Sequence, residues 1–264
     1  MHAHGSAAAA DAGPPPQRTV APCVLDGGPG PAARLGLVLL STDQATEQAF
    51  RAMAPDDVTW FTARLANRNP TTTANLRLMA DGLTGATALL PEDAGLGCVA
   101  YGCTSGIVAL GEAAVFGRIQ AARLGVPCTA PITGALAAFA RLGVRRVALL
   151  TPYIEEVDRA MAGYLMARGI TVTAMASFDL ESDSDMARVP PDDICRAGLD
   201  LGRAAQADAL FVSCTALRAW PAIEPLERAL GRPVVTSHQA LLWHALRLAG
   251  HDRPIDGHGR LLRL

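Results

Sequence analysis

Apolar residues in this chain fall into short unbroken blocks of strand length, separated by longer stretches in which apolar and polar positions recur at helical spacing. The block at 35–40 (LGLVLL) is the clearest. A continuous apolar run of that length marks a strand covered on both faces, as in a parallel sheet, whereas an exposed face would impose alternation. The same reading gives strands at 57–64, 98–101, 146–150, 171–176, 209–213 and 233–236. Between them lie helical patterns at 44–54, 72–90, from the turn at 102–106 to about 124, 131–142, from the Thr151-Pro152-Tyr153 loop to 168, 191–205, 222–230 and 238–249. Strands alternating with helices imply βαβ units and an α/β fold with parallel sheets.

Two events match across the halves. An apolar strand ends in Cys103-Thr104, and a second ends in Cys214-Thr215, each expected to open a helix. The sequence therefore predicts two pseudo-symmetric Rossmann-like lobes with the site in the cleft between them, since open α/β sheets bind ligands at the carboxyl ends of their strands. The expected organisation is a flexible tail at 1–32, a first lobe from 33–127 plus 233–264, and a second lobe from 128–232. The tail is rich in Ala, Gly and Pro, with Pro14, Pro15 and Pro16 in a row.

Composition narrows the function. The chain has 264 residues, 50% hydrophobic content and a net charge of -2, enough apolar material for a full core and no basic field for nucleic acid or an anionic membrane. No apolar stretch approaches the roughly 20 residues of a membrane span, and no positively charged segment precedes the short Ala run at 7–10, so a cytoplasmic location is expected. Six cysteines at 23, 98, 103, 128, 195 and 214 lack the spacing of a disulfide scaffold. With no CxxC or HxxxH, no metal site is expected. The Gly27-Gly28-Pro29-Gly30 cluster precedes the first strand instead of following it, so it is not a dinucleotide fingerprint. The expectation is a cofactor-independent enzyme acting on a small molecule.

A cysteine at a helix start has its thiolate favoured by the dipole and by free N–H groups. Cys103 and Cys214 are the candidate catalytic residues on that ground. Thr104, Ser105 and Thr215 add hydroxyls beside the same N–H groups, a combination suited to a carboxylate. Two thiols on opposite sides of one molecule can remove a proton from one face and return it on the other, or one can add to a carbon–carbon double bond. Cys23, Cys98, Cys128 and Cys195 read as inert. His238 reads as a cap or a rim residue. Trp220 and Trp243 read as packing residues, or as interface residues should the chain form a homo-oligomer.

The segments GCTSG (102–106), LGVRRVALLTPYIEEV (142–157) and VSCTAL (212–217), with GHGRLLR near the end, resemble the aspartate/glutamate racemase superfamily. Within it they are similar to the branch of maleate isomerases and arylmalonate decarboxylases, and most to ectoine-utilisation isomerase-like proteins. The resemblance implies Cys103 and Cys214 as the catalytic pair, Thr104, Ser105 and Tyr153 as carboxylate binders, and Thr215 as an N–H donor. It implies an isomerase or racemase acting on a small carboxylate, an amino-acid derivative of ectoine degradation, with maleate cis-trans isomerisation or decarboxylation as the alternatives. Arylmalonate decarboxylases resemble this chain at the second cysteine but carry Gly at the first, which disfavours decarboxylation. Where maleate isomerases carry two Asn, this chain has Asp43 and Asp183. Ionised Asp repels a second carboxylate and attracts an ammonium group, so both are candidate substrate contacts, or else caps and loop charges.

Overall fold

The computed structural model describes residues 17–264; the part of the expected tail at 1–16 lies outside the described residues. Residues 17–32 hold no helix or strand and are almost entirely exposed. The strands are β1 (Ala33–Leu40), β2 (Val58–Leu65), β3 (Cys98–Tyr101), β4 (Cys128–Thr129), β5 (Arg146–Thr151), β6 (Thr171–Ser177), β7 (Ala209–Val212) and β8 (Val234–Thr236). The helices are α1 (Thr46–Met53), α2 (Thr73–Leu78), α3 (Leu83–Ala88), α4 (Thr104–Leu110), α5 (Glu112–Ala122), α6 (Pro131–Leu142), α7 (Glu155–Met166), α8 (Asp183–Met186), α9 (Pro191–Ala204), α10 (Ile223–Leu230) and α11 (Ser237–Leu248).

Among the described residues eight strands form two four-stranded parallel sheets, ordered β2-β1-β3-β4 and β6-β5-β7-β8. The identical order is the structural counterpart of the repeated strand–Cys–Thr unit. The inner strands β1, β3, β5 and β7 are almost wholly buried, which is why they read as unbroken apolar runs. Edge strand β6 alternates between exposed and half-buried positions.

Four details differ from the sequence reading. Cys128–Thr129 belongs to the first sheet and Val234–Thr236 to the second, so the expected lobe boundaries misplace one short strand on each side. A two-residue strand has no period to detect, and pairing partners are set by long-range contacts. The helix after β8 does return to the first sheet: α11 packs on β3 and β4. The reverse crossing also occurs, with Phe139 of α6 edge-on to Phe211 of β7 at 5.5 Å. Third, the single helix expected over 72–90 is split by a tight turn at Met79–Gly82. There a Cβ on Gly82 would lie 2.9 Å from Leu65 Cδ1, so the backbone runs hard against β2. Fourth, Cys214 opens no helix: α10 begins only at Ile223.

The two crossing helices lock the sheets together. Gly134 of α6 is buried, and a Cβ there would sit 2.4 Å from the Ala240 carbonyl oxygen and 2.9 Å from its carbon. Gly134→Ala is expected to destabilise the protein by about 1–3 kcal/mol, because backbone cannot yield as a side chain can. Each kcal/mol is worth roughly 2–4 °C in a chain of this size. Gly163→Ala, at an exposed position in α7 with nothing within 4 Å, should be neutral or stabilising. Thermal melts of the two variants check this, and an unchanged midpoint for Gly134→Ala would contradict it.

Candidate active site

In each sheet the strand order reverses beside the first strand, and that switch point is where a doubly wound sheet leaves a crevice. Tyr153 follows β5 there, Cys103 follows β3 and Cys214 follows β7, while Asn67 and Asp183 follow the outer strands β2 and β6. Cys103, Cys214, Thr104, Ser105, Tyr153, Thr215, Asp43 and Asp183 all line one cleft, together with Asn67, Thr71, Leu40, Leu76 and Ala216. The cavity they enclose is small, about 20 Å³, room for about one water in this structure.

Cys103 N-caps α4, its Sγ accepting the Gly106 N–H at 3.2 Å, with Ser105 Oγ at 3.7 Å. Gly106 is required there, since a Cβ would meet Tyr101 Oη at 2.4 Å and Cys103 Sγ at 3.0 Å. Cys214 has a different setting. Its backbone stands at φ 110°, a region non-glycine residues seldom enter, and its Sγ accepts the Ala216 N–H at 3.2 Å.

Neither thiol has the lowered pKa the sequence suggested. Burial pushes Cys103 up to about 11, and the nearby Asp183 carboxylate pushes the same way, against the Ser105 hydroxyl and the Gly106 N–H. Burial and Asp183 raise Cys214 as well, opposed by the Ala216 N–H and Tyr153. Loss of water outweighs two or three donors when the thiol is buried. Tyr153 is 1% exposed, its hydroxyl lies near the Cys214 thiol but makes no hydrogen bond of normal length and angle among the described residues, and burial holds its pKa well above the ordinary range, so it remains a donor.

The two aspartates differ. Asp43 is turned back on its own chain: Oδ1 accepts the N–H groups of Ala45 (3.0 Å) and Thr46 (2.9 Å), and Oδ2 accepts the Thr46 hydroxyl (2.6 Å). It caps the start of α1. Asp183 Oδ2 accepts from the Thr42 hydroxyl and from Asn67 Nδ2 at 3.1 Å. Burial raises both carboxyl pKa values, and hydrogen bonds hold each down in part. Asn67 and Thr71 were not singled out in the sequence, lying in a polar loop like any other; buried Asn67 Oδ1 and Thr71 Oγ1 have no hydrogen-bond partner among the described residues. His238 does not reach the cleft. It is fully buried, with Nε2 3.2 Å from Thr46 Oγ1 and its ring edge-on to Trp220. Among the described residues no group of three or more His, Cys, Asp or Glu could hold a metal ion, and no helix is long and apolar enough to cross a membrane.

Fold and cleft together define a two-sheet α/β protein with paired cysteines at equivalent switch points. Residues 112–262 match the arylmalonate decarboxylase family, and the chain belongs to that family. It is 39% identical to arylmalonate decarboxylase of Bordetella bronchiseptica over 52% of this chain and 58% of that one. It is 31% identical to maleate isomerase of Nocardia farcinica over 46% of this chain and 49% of that one. These two matches thus span about half the length of the relatives. Among solved structures, a mutant of arylmalonate decarboxylase with cysteine for a glycine and serine for a cysteine, in liganded form, superposes with TM-score 0.78 at 28% identity, covering 87% of this chain and 98% of the other. The fold is shared with a serine-for-cysteine mutant of Nocardia farcinica maleate cis-trans isomerase that carries a covalently bound succinylcysteine intermediate (TM-score 0.78, 21% identity, 88% and 98% covered). These findings match the branch read from the sequence; they do not show the special closeness to ectoine-utilisation proteins.

The electrostatics make a prediction. Asp183→Asn removes a negative charge that disfavours both thiolates, so alkylation of Cys103 and Cys214 by iodoacetamide at pH 8 should accelerate, by roughly tenfold for each pKa unit recovered. In the unmodified protein, alkylation of Cys103 should climb about tenfold per pH unit from pH 7 to 10, still below its pKa. Peptide mass spectrometry reads both; slower labelling in the variant would contradict the account.

Proposed function

We propose that this protein is a cofactor-independent isomerase in which Cys103 and Cys214 act from opposite faces on a small carboxylate. The observation that carries this reading is the meeting of both thiols, from different sheets, in one small cleft with unsatisfied donors. The hydroxyls of Thr104, Ser105 and Tyr153 and the Thr215 N–H hold the substrate carboxylate. Cys103, whose pKa lies nearer the ordinary thiol range, starts as the base. As thiolate it takes the proton from the carbon beside the carboxylate, and the C–H electron pair moves into the carboxylate as an enediolate. Cys214 then gives its proton to the opposite face and is left as the thiolate, so the next turnover runs in reverse.

Asp183 sets the far end of the substrate. With Asn67 Oδ1 it makes an acceptor-rich wall that fits an ammonium or hydroxyl group, as in an amino-acid derivative of the kind met in ectoine degradation. Asp43 supports that reading less, because its oxygens are engaged in capping. A second reading is favoured by the relative with the succinylcysteine intermediate: a thiolate adds to one carbon of maleate, the new single bond rotates, and elimination returns the thiolate with a trans double bond. Decarboxylation is disfavoured, since it needs proton delivery at one face only.

Proton exchange in D2O, followed by NMR, separates these readings. The protein should exchange the α-hydrogen of small amino-bearing carboxylates, and Cys103→Ala and Cys214→Ala should each lose about 10²-fold or more with the fold intact. Conversion of maleate to fumarate without such exchange would install the second reading. Full activity in either single mutant would contradict both.

A further inference from the structure

We propose that Ser237 is a positioning residue that turns the Thr104 hydroxyl proton into the cleft, making Thr104 an obligate donor to the substrate carboxylate. The inference rests on the carboxylate reading above. Ser237 is the first residue of α11 and is fully buried, on a helix start fixed by the capping box between Thr236 and Gln239. Its Oγ accepts the Cys214 N–H at 2.9 Å and lies 2.9 Å from Thr104 Oγ1.

Accounting for the protons fixes the direction of this chain. Ser237 has one hydroxyl proton, and Thr104 Oγ1 is the acceptor the described residues offer it. Were Thr104 to donate instead, the Ser237 proton would be buried with no acceptor, the costlier arrangement. The order is therefore Cys214 N–H to Ser237 Oγ, Ser237 O–H to Thr104 Oγ1, and Thr104 O–H to the cleft, where successive donors polarise one another. The neighbouring hydroxyl cannot substitute, because Thr215 Oγ1 donates to the Gly102 carbonyl at 3.0 Å. The Cys214 N–H is likewise spent on Ser237, which leaves the Thr215 N–H as that loop's donor to substrate.

The test compares alkylation by iodoacetate and by iodoacetamide at Cys103, read by peptide mass spectrometry. In both reagents the thiolate displaces iodide, but only iodoacetate carries the carboxylate. The ratio of the two rates thus cancels changes in thiol reactivity, and a merely structural role for Ser237 would move both rates and leave the ratio. The protein should show a ratio above that of free cysteine. Thr104→Val should lower it about tenfold, the loss of one hydrogen bond to a charged group, and Ser237→Ala should lower it by a smaller factor, because the Thr104 hydroxyl remains but is no longer oriented and polarised. The double variant should fall no further than Thr104→Val alone. Ser237→Cys, nearly isosteric but a poor donor, should fall as well, which covers the case in which Ser237→Ala does not fold. An unchanged ratio in the Ser237 variants, or multiplied losses in the double variant, overturns the proposal while the carboxylate reading stands. A ratio no higher than that of free cysteine in the unmodified protein overturns both.

Discussion

The arrangement depends on a short stitch between two loops that belong to different sheets. Thr215 Oγ1 reaches the Gly102 carbonyl, and Ser237 Oγ meets both the Cys214 N–H and Thr104 Oγ1. Without it the loop after β3 and the loop after β7 would be two independent strand ends. With it, Cys103 and Cys214 share one cleft, and Cys214 is held at φ 110°, a conformation worth about 1–3 kcal/mol of strain that its surroundings must offset. The crossing of α6 and α11, made possible by Gly134 against Ala240, supplies the rigid frame behind the stitch.

Burial is the second constraint, and it works against the chemistry at rest. Cys103 and Cys214 are nearly dry and stand near the Asp183 carboxylate, so both rest as thiols. A neutral pair is what a two-face proton exchange needs on its acid side. In the proposed mechanism the base side must be generated, and Cys103, with Gly106 N–H and Ser105 beside it, is the thiol assigned that part. Asp183 therefore sets how reluctantly the thiols ionise, and under the proposed function it would also favour a donor group on the substrate.

Much of this was legible in the sequence because it is local. Unbroken apolar runs such as 35–40 announce inner parallel strands, and a Cys-Thr pair directly after such a run places a thiol at a carboxyl end. Asp43, three residues before Thr46, could be read as a substrate contact or as a cap, and its hydrogen bonds show it capping α1. What escaped depends on partners far apart in the chain. Cys128–Thr129 and Val234–Thr236 choose their sheets by tertiary contact, and Ser237 acts on residues 23 and 133 positions away. The positive φ at Cys214 has no compositional mark, since glycine is the residue that normally signals it. The raised thiol pKa values were missed because a helix-start argument sees donors and not the loss of water.

The central claim is that Cys103 and Cys214 face one molecule, and a bifunctional reagent tests it without knowledge of the substrate. 1,3-Dibromoacetone joins two thiols through three carbons, each thiolate displacing one bromide. Two sulfurs that each approach a shared reacting atom to about 3.5 Å lie within reach of that bridge. Mass spectrometry after stoichiometric treatment should find a single intramolecular cross-link between the peptides bearing Cys103 and Cys214, absent in either alanine variant. Separate single adducts at the two cysteines, with no bridged peptide, would contradict the account.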